Sequence, residues 1–126
     1  MGIYSVGTDI IEVKRVAEAI KNYPLFASRV FTLKEREYCE KKGIVKYLSF
    51  ASRFAAKEAV AKSLGTGFGK ALSLTDIEII NKKGKPEVHF RGKAANLINN
   101  LGISRVEVSI SSTRDYAAAF AVSIIE

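Results

Sequence analysis

The 126-residue sequence holds one cysteine, one histidine, one methionine, two prolines and no tryptophan. A lone Cys39 cannot close an internal disulfide, which fits a reducing compartment, so a cytoplasmic location is expected. One histidine and one cysteine exclude a zinc site of the usual ligand types, and any metal must be a hard ion held by carboxylates. No apolar run approaches the ~20 residues of a membrane span, so no membrane partner is expected. The opening Met-Gly-Ile-Tyr-Ser has neither the basic start nor the cleavage pattern of a signal peptide. Acidic residues are also scarce: 13 against 20 lysines and arginines, a net charge of +7. That excess points to an anionic partner, whether nucleic acid, phosphorylated ligand, acidic protein or acidic membrane.

What is present looks globular. Apolar residues at 48% and charged residues at 26% argue against disorder or a fibrous repeat. No linker or low-complexity stretch divides the chain, and residues 1–126 read as one domain. Ile3–Asp9 has a strand pattern that puts Tyr4, Val6 and Thr8 on one face and Ser5, Gly7 and Asp9 on the other. From Ile10 the spacing turns helical through Val13, Ala17 and Ile20. Pro24 ends that helix, and Thr32-Leu-Lys-Glu35 has the spacing of a capping box opening a second helix to about Lys42. Leu48–Leu64 predicts a long Ala-rich helix without Pro or Gly, closed by Gly65 in a left-handed cap. Leu74–Ile80 and Glu87–Phe90 predict two strands joined by a turn at Gly84-Lys-Pro86. Ala94–Leu101 predicts a short helix ended by Gly102. The alternation of Val106, Val108 and Ile110 with Glu107, Ser109 and Ser111 predicts a half-buried strand. Tyr116–Ile125 is apolar almost throughout and reads as an interior strand. Helices followed by an antiparallel meander predict an α+β fold, an antiparallel sheet packed with a long central helix.

Gly65-Thr-Gly-Phe-Gly-Lys70 invites comparison with a nucleotide-binding loop. It is not a P-loop, because Leu64 and Ala71 occupy the positions that need Gly and Ser or Thr. The dinucleotide fingerprint fails as well, since these glycines follow a helix end. Glu58, by contrast, falls in the helix sector of Ala51, Phe54, Ala55 and Ala61. A carboxylate there is costly to bury unless a cation or good hydrogen bonds offset it. Lys62, one turn on, supplies an ordinary i,i+4 partner. Asp9 reads equally as a carboxylate in the first turn of a helix.

The combination of these segments is more specific. Gly7-Thr-Asp9-Ile-Ile-Glu-Val-Lys-Arg15, then Arg53-Phe-Ala-Ala-Lys57-Glu58-Ala-Val-Ala-Lys62-Ser-Leu-Gly65-Thr-Gly67, resembles the two-part signature of the holo-[acyl-carrier-protein] synthases, the small 4′-phosphopantetheinyl transferases. Leu74-Thr-Asp-Ile-Glu-Ile, Gly84-Lys-Pro86 and Val108-Ser-Ile-Ser-Ser-Thr-Arg-Asp-Tyr-Ala117 follow in family order. The resemblance implies a phosphopantetheinyl transferase fold and a role in fatty acid biosynthesis. The reaction it implies moves the 4′-phosphopantetheine of coenzyme A to a serine of apo acyl carrier protein, releasing adenosine 3′,5′-bisphosphate. Asp9, Glu58 and Lys62 become the expected catalytic residues. Asp9 and Glu58 are expected to hold Mg²⁺, with Mn²⁺ as the alternative ion, beside the coenzyme A phosphates. Magnesium commonly takes one or two protein carboxylates and completes its shell with phosphate and water. Lys62 would meet the pyrophosphate, and by analogy the serine proton would pass to a water beside the ion or to Glu58 acting through that water.

The same resemblance assigns coenzyme A contacts to Lys62, Gly65, Thr66, Gly67, Lys85, Pro86, Ser112 and Thr113. Lys85 would meet the 3′-phosphate, although Gly84-Lys-Pro86 needs no ligand as a plain hairpin turn, and both readings stand. Ser112 departs from the family, which often has histidine there. A serine donates one hydrogen bond but carries no proton near neutral pH. The expectation is retained activity with a weaker phosphate contact, or one rearranged onto Thr113 or Arg114; His89 lies in a distant strand. Arg15 and Arg29 match positions that contact the acidic carrier protein, with Phe26 as an apolar anchor. Family members form trimers with the site at the junction of protomers, so a homotrimer is expected. The competing class, a basic nucleic-acid-binding module, leaves Glu58 unexplained and lacks an aromatic RNP block, so no nucleic-acid partner is expected. A third reading keeps the fold but makes the chain an impaired binder because of Ser112.

Overall fold

The computed structural model describes residues 1–65 and 72–126. Strand β1 (Gly2–Glu12) opens the chain, followed by helices α1 (Val13–Asn22), α2 (Phe26–Val30), α3 (Leu33–Glu40) and α4 (Lys46–Ser63). The hairpin β2 (Ile77–Lys82) and β3 (Lys85–Phe90) comes next, then α5 (Gly92–Leu101), β4 (Ile103–Ser112) and β5 (Tyr116–Ile125). The class is α+β, as the element pattern predicts. The strands form two antiparallel sheets rather than one meander: β1-β5-β4, and β2-β3 separately. Strand β1 precedes the helices yet pairs with the last strand, with Asp9 opposite Ala119 and Glu12 opposite Tyr116. A pairing between chain ends has no local signature.

Helix α4 is the axle. Its 18 residues span about 27 Å at 1.5 Å per residue. Ala51, Ala55, Ala56, Ala59 and Ala61 are all fully buried, and so are Ala117 and Ala121 on the facing side of β5. Small residues on both surfaces let sheet and helix approach closely. The approach is tightest at Gly7 on β1, where an added Cβ would lie 2.1 Å from the Ala59 carbonyl oxygen and 2.7 Å from the Ser63 nitrogen. Ser123 on β5 adds a polar link, its hydroxyl donating to the Ser63 carbonyl and accepting from the Ser5 amide. A second layer of core, with Phe31 and Phe50 rings 4.9 Å apart, fills the space under α2 and α3.

A buried polar network binds α3 and the β2 strand to α4. The Thr32–Glu35 capping box forms as predicted, with both reciprocal bonds present. The Glu35 side chain also accepts from the Ile79 amide at 2.7 Å and pairs with the Lys57 ammonium at 2.7 Å, both side chains fully buried. Lys57 donates further to the carbonyls of Leu74 and Ile77. Lys57 on α4 thus ties α3 and the segment entering β2 together through one ammonium.

Several expectations need correction. The strand continues to Glu12, so Ile10 lies in β1 and not in a helix, and it is exposed. Asp9 therefore caps no helix. Pro24 is followed by the extra short helix α2, which the sequence pattern does not signal. The hairpin turns at Lys83 and Gly84, both with positive φ (54° and 80°), which places Lys85 and Pro86 inside β3. Leu74–Asp76 is a 3-10 turn before β2 starts. Strand β5 is interior in the sense of being central to its sheet, but one of its faces leaves Tyr116 and Phe120 nearly half exposed. Helix α5 ends at Gly102 in the left-handed region (φ 71°), and β4 alternates as predicted.

Gly7→Ala has no room, because the obstructing atoms are backbone. The substitution is expected to cost about 3 kcal/mol or more in urea unfolding, at the upper end of overpacking effects. A loss under about 1 kcal/mol would mean that β1 and α4 can separate without penalty.

Candidate active site

Asp9 belongs to the Ser5, Gly7, Asp9 face of β1, the face turned toward α4. The closeness at Gly7 carries Asp9, two residues on, alongside Glu58 and Lys62. The Lys62 ammonium donates to the Asp9 carboxylate at 3.2 Å and to the Thr8 carbonyl at 3.0 Å. Glu58 sits one turn before Lys62 and is half-buried. Burial pushes its carboxyl above the ordinary range, the negative charge of Asp9 adds to the rise, and Lys62 opposes it. Asp9, far from the other two in sequence, therefore clusters with Glu58 and Lys62.

The donor set suits a hard dication. Among the described residues no group of three or more His, Cys, Asp or Glu side chains gathers to hold a metal. Two carboxylates match the magnesium pattern, in which substrate phosphates and water complete the shell. A carboxyl strained by burial and by a like charge is also one that a dication would relieve. Gly65, with φ 78°, stands directly after the helix, its amide bonded to the Lys62 carbonyl at 3.0 Å. Thr66 and Gly67 lie outside the described residues.

The other predicted contacts fall elsewhere in the chain. Lys85 and Pro86 line a cavity of about 410 Å³ against β4, together with Arg53, Asn81 and Ser109. Ser112 ends β4, and Thr113 after it secures the turn by accepting from the Tyr116 amide at 3.2 Å. Strand β5 separates them from β1: Asp9 pairs with Ala119, whereas Ser112 pairs with Ala117. His89 is exposed on β3, bonded to Glu87 at 2.7 Å, and belongs to neither group. Arg15 and Arg29 are exposed on α1 and α2. Phe26 is half-buried, edge-on to Phe31 and Phe54, and borders a groove with Tyr23, Pro24, Leu25 and Arg29.

Arg53 is the functional candidate that sequence reasoning passed over. It is only 6% exposed, stacks 4.0 Å above the Tyr38 ring centroid, and donates to Ser49 at 3.2 Å. Its buried Nε has no hydrogen-bond partner in the protein. A buried guanidinium with a spare donor, lining a cavity beside Lys85, is what an anion would satisfy. The available signal was an arginine one turn before Lys57 on an otherwise alanine-rich helix.

With this geometry in view, the comparisons with known proteins are decisive. Residues 5–121 match the family described as the 4′-phosphopantetheinyl transferase superfamily. The chain belongs to that superfamily. It is 50% identical over 119 residues to the holo-[acyl-carrier-protein] synthase of Ruminiclostridium cellulolyticum, covering 93% of this chain and 89% of the relative. The crystal structure of the holo-[acyl-carrier-protein] synthase of Neisseria meningitidis superposes with a TM-score of 0.88 at 38% identity, covering 98% of this chain and 99% of that one. The Helicobacter pylori synthase, solved in complex with coenzyme A, has a TM-score of 0.82 at 30% identity over 94% of this chain and 99% of its own. The α+β fold built around α4 is thus the fold of this superfamily.

A testable consequence concerns Glu58. Its raised carboxyl binds a proton more tightly in the folded than in the unfolded chain, so the ionised form destabilises the fold as pH rises through that range. Glu58→Gln is expected to raise the thermal midpoint at pH 7, with the gain fading as pH falls below the ordinary carboxyl value of 4.5. A lower midpoint at pH 7 would show that Glu58 is well compensated in the unloaded protein.

Proposed function

We propose that Asp9, Glu58 and Lys62 carry the transfer that gives this superfamily its name. The 4′-phosphopantetheine of coenzyme A passes to a serine hydroxyl of apo acyl carrier protein, and adenosine 3′,5′-bisphosphate leaves. The observation that carries the reading is the meeting of Asp9 with the Glu58–Lys62 pair across 53 residues of sequence between Asp9 and Lys62. Asp9 and Glu58 hold Mg²⁺, or Mn²⁺ in its place. When bound, the ion neutralises charge developing on the diphosphate as the phosphorus–oxygen bond breaks. Lys62 contributes a mobile point charge for the same diphosphate. A water beside the ion, or Glu58 acting through it, is suited to accept the serine proton. Gly65 keeps side-chain bulk away from the nucleotide, and Arg53 with Lys85 and Pro86 offers a second anion-binding surface to the phosphates of coenzyme A.

Charge and shape support an acidic carrier protein as the partner. Lys14, Arg15, Lys21 and Arg29 are exposed on α1 and α2 beside the apolar groove at Phe26. Such a surface speeds encounter with an acidic helix and fixes its orientation. No helix among the described residues is long and apolar enough to cross a membrane, and the one thiol, Cys39, is fully buried. We read the chain as one transferase domain acting in the cytoplasm.

A homotrimer completes the site. Asp9, the Arg53–Lys85 cavity and the Ser112–Thr113 turn occupy three separate places on one protomer, and a neighbouring copy supplies what each lacks. The outer face of the β1-β5-β4 sheet favours such assembly. Val6 is 51% exposed, Ile10 67% and Phe120 46%, an apolar surface that water disfavours. Phe120→Glu is expected to convert trimers to monomers in light scattering and to abolish transfer. A wild-type protein that is already monomeric would overturn this part.

The activity itself is tested by the intact mass of an apo acyl carrier protein after incubation with this chain, coenzyme A and Mg²⁺. The expected gain is one phosphopantetheine arm, lost with chelator and in Glu58→Gln. No gain with the wild-type chain on several acidic carriers would overturn the reading.

A further inference from the structure

Lys62 is not idle in the absence of substrate. Its ammonium spends two of its three donors on β1, one on the Thr8 carbonyl and one on Asp9. Asp9 is largely withdrawn from solvent, its side chain 18% exposed, while that of Lys62 is 51% exposed. Glu58 lies one turn earlier on the same helix. Two carboxylates turned toward one space repel, and here the only cation bonded to either of them, among the described residues, is Lys62.

We infer that Lys62 is the resident counter-ion of Asp9 in the unloaded protein, and that loading the site is an exchange of counter-ions. A dication takes the Asp9 carboxylate, and the ammonium it displaces turns to the anionic diphosphate of coenzyme A. This rests on the function proposed above but adds an order to it. One carboxylate oxygen cannot serve an ammonium and a dication at close range without the two cations repelling. The diphosphate removes that conflict by giving the ammonium another anion. Dication and diphosphate therefore each ease the entry of the other, and the two bind with positive coupling through Lys62.

The side chain is built for such a move. A lysine is a compact charge on a flexible four-carbon stem. An ion pair with one half-exposed partner is weak, so letting it go costs little. The Thr8 carbonyl, on an edge strand of its sheet, holds the ammonium in waiting without tying it to a buried partner. Lys57 makes the contrast on the same helix, since its ammonium is fully buried with a full set of partners and has no such freedom.

The test uses Mn²⁺ as a paramagnetic probe, with free ion counted by electron spin resonance during titration of the full chain without coenzyme A. Lys62→Met is expected to tighten Mn²⁺ binding about two- to five-fold, the size of the exposed ion pair it removes. Lys62→Gln, which keeps a donor and loses the charge, is expected to behave alike. Lys34→Met, which removes a charge from the exposed face of α3, is expected to change nothing, and Asp9→Asn to remove the binding. Unchanged or weaker binding in both Lys62 variants, no detectable binding in any of them, or an equal gain in Lys34→Met would overturn the exchange. The titration needs no turnover, so its failure is distinct from a wild-type chain that fails to modify its carrier.

Discussion

Strand β1 lies so near helix α4 that a single methyl group at Gly7 would collide with the helix backbone. The rest of the site depends on that closeness. It exists because small residues face each other across the whole contact, Ala117 and Ala121 on β5 against Ala51, Ala55, Ala56 and Ala59 on α4. Close-packed interiors leave no room for a larger side chain at such a point without moving one element away from the other. A shift of that kind would carry Asp9 away from Glu58 and Lys62, since Asp9 is only two residues beyond the point of contact. A packing constraint thus sets the geometry of the charged cluster.

Helix α4 answers two opposite demands on neighbouring positions. Lys57 is sealed in a network with Glu35 and two backbone carbonyls, where every donor has a partner. Such a pair adds little net stability compared with an apolar filling, but breaking it is costly, so it fixes one arrangement of α3, α4 and β2. Glu58, the next residue and about 100° round the helix, has the like charge of Asp9 near it. The strain at Glu58 is tolerable because Lys57 and the alanine faces hold the helix in place. Sites that bind strong ligands commonly carry some cost in the unloaded state.

Much of the fold was legible locally. The capping box at Thr32–Glu35, the long alanine-rich helix, the left-handed caps at Gly65 and Gly102, and the alternation of β4 all rest on contacts within a few residues. The boundary at Ile10 was not, because a residue on the outer face of a strand and one on a helix stripe have the same apolar character. The hairpin turn was displaced by one residue, since Lys83 takes a positive φ that its chemistry does not advertise. Arg53 was hidden among motif residues, because a basic side chain reads as surface until its burial and its unpartnered nitrogen are seen.

The sequence by itself limited the donor chemistry: one histidine and one cysteine leave no zinc site of the usual kind, the charge balance is +7, and the helix period sets Lys62 one turn after Glu58. The pairing of Asp9 with Glu58 around a hard ion came only from the resemblance to a family. Only the tertiary structure decided that the acid at position 9 meets the helix at positions 58 and 62, that Lys57 is sealed among buried partners while Lys62 is half-exposed beside Asp9, and that Ser112 lies a strand away from Asp9. Those are facts of strand pairing between the two ends of the chain and of a packing distance set by one glycine. Neither is encoded in any short stretch of residues.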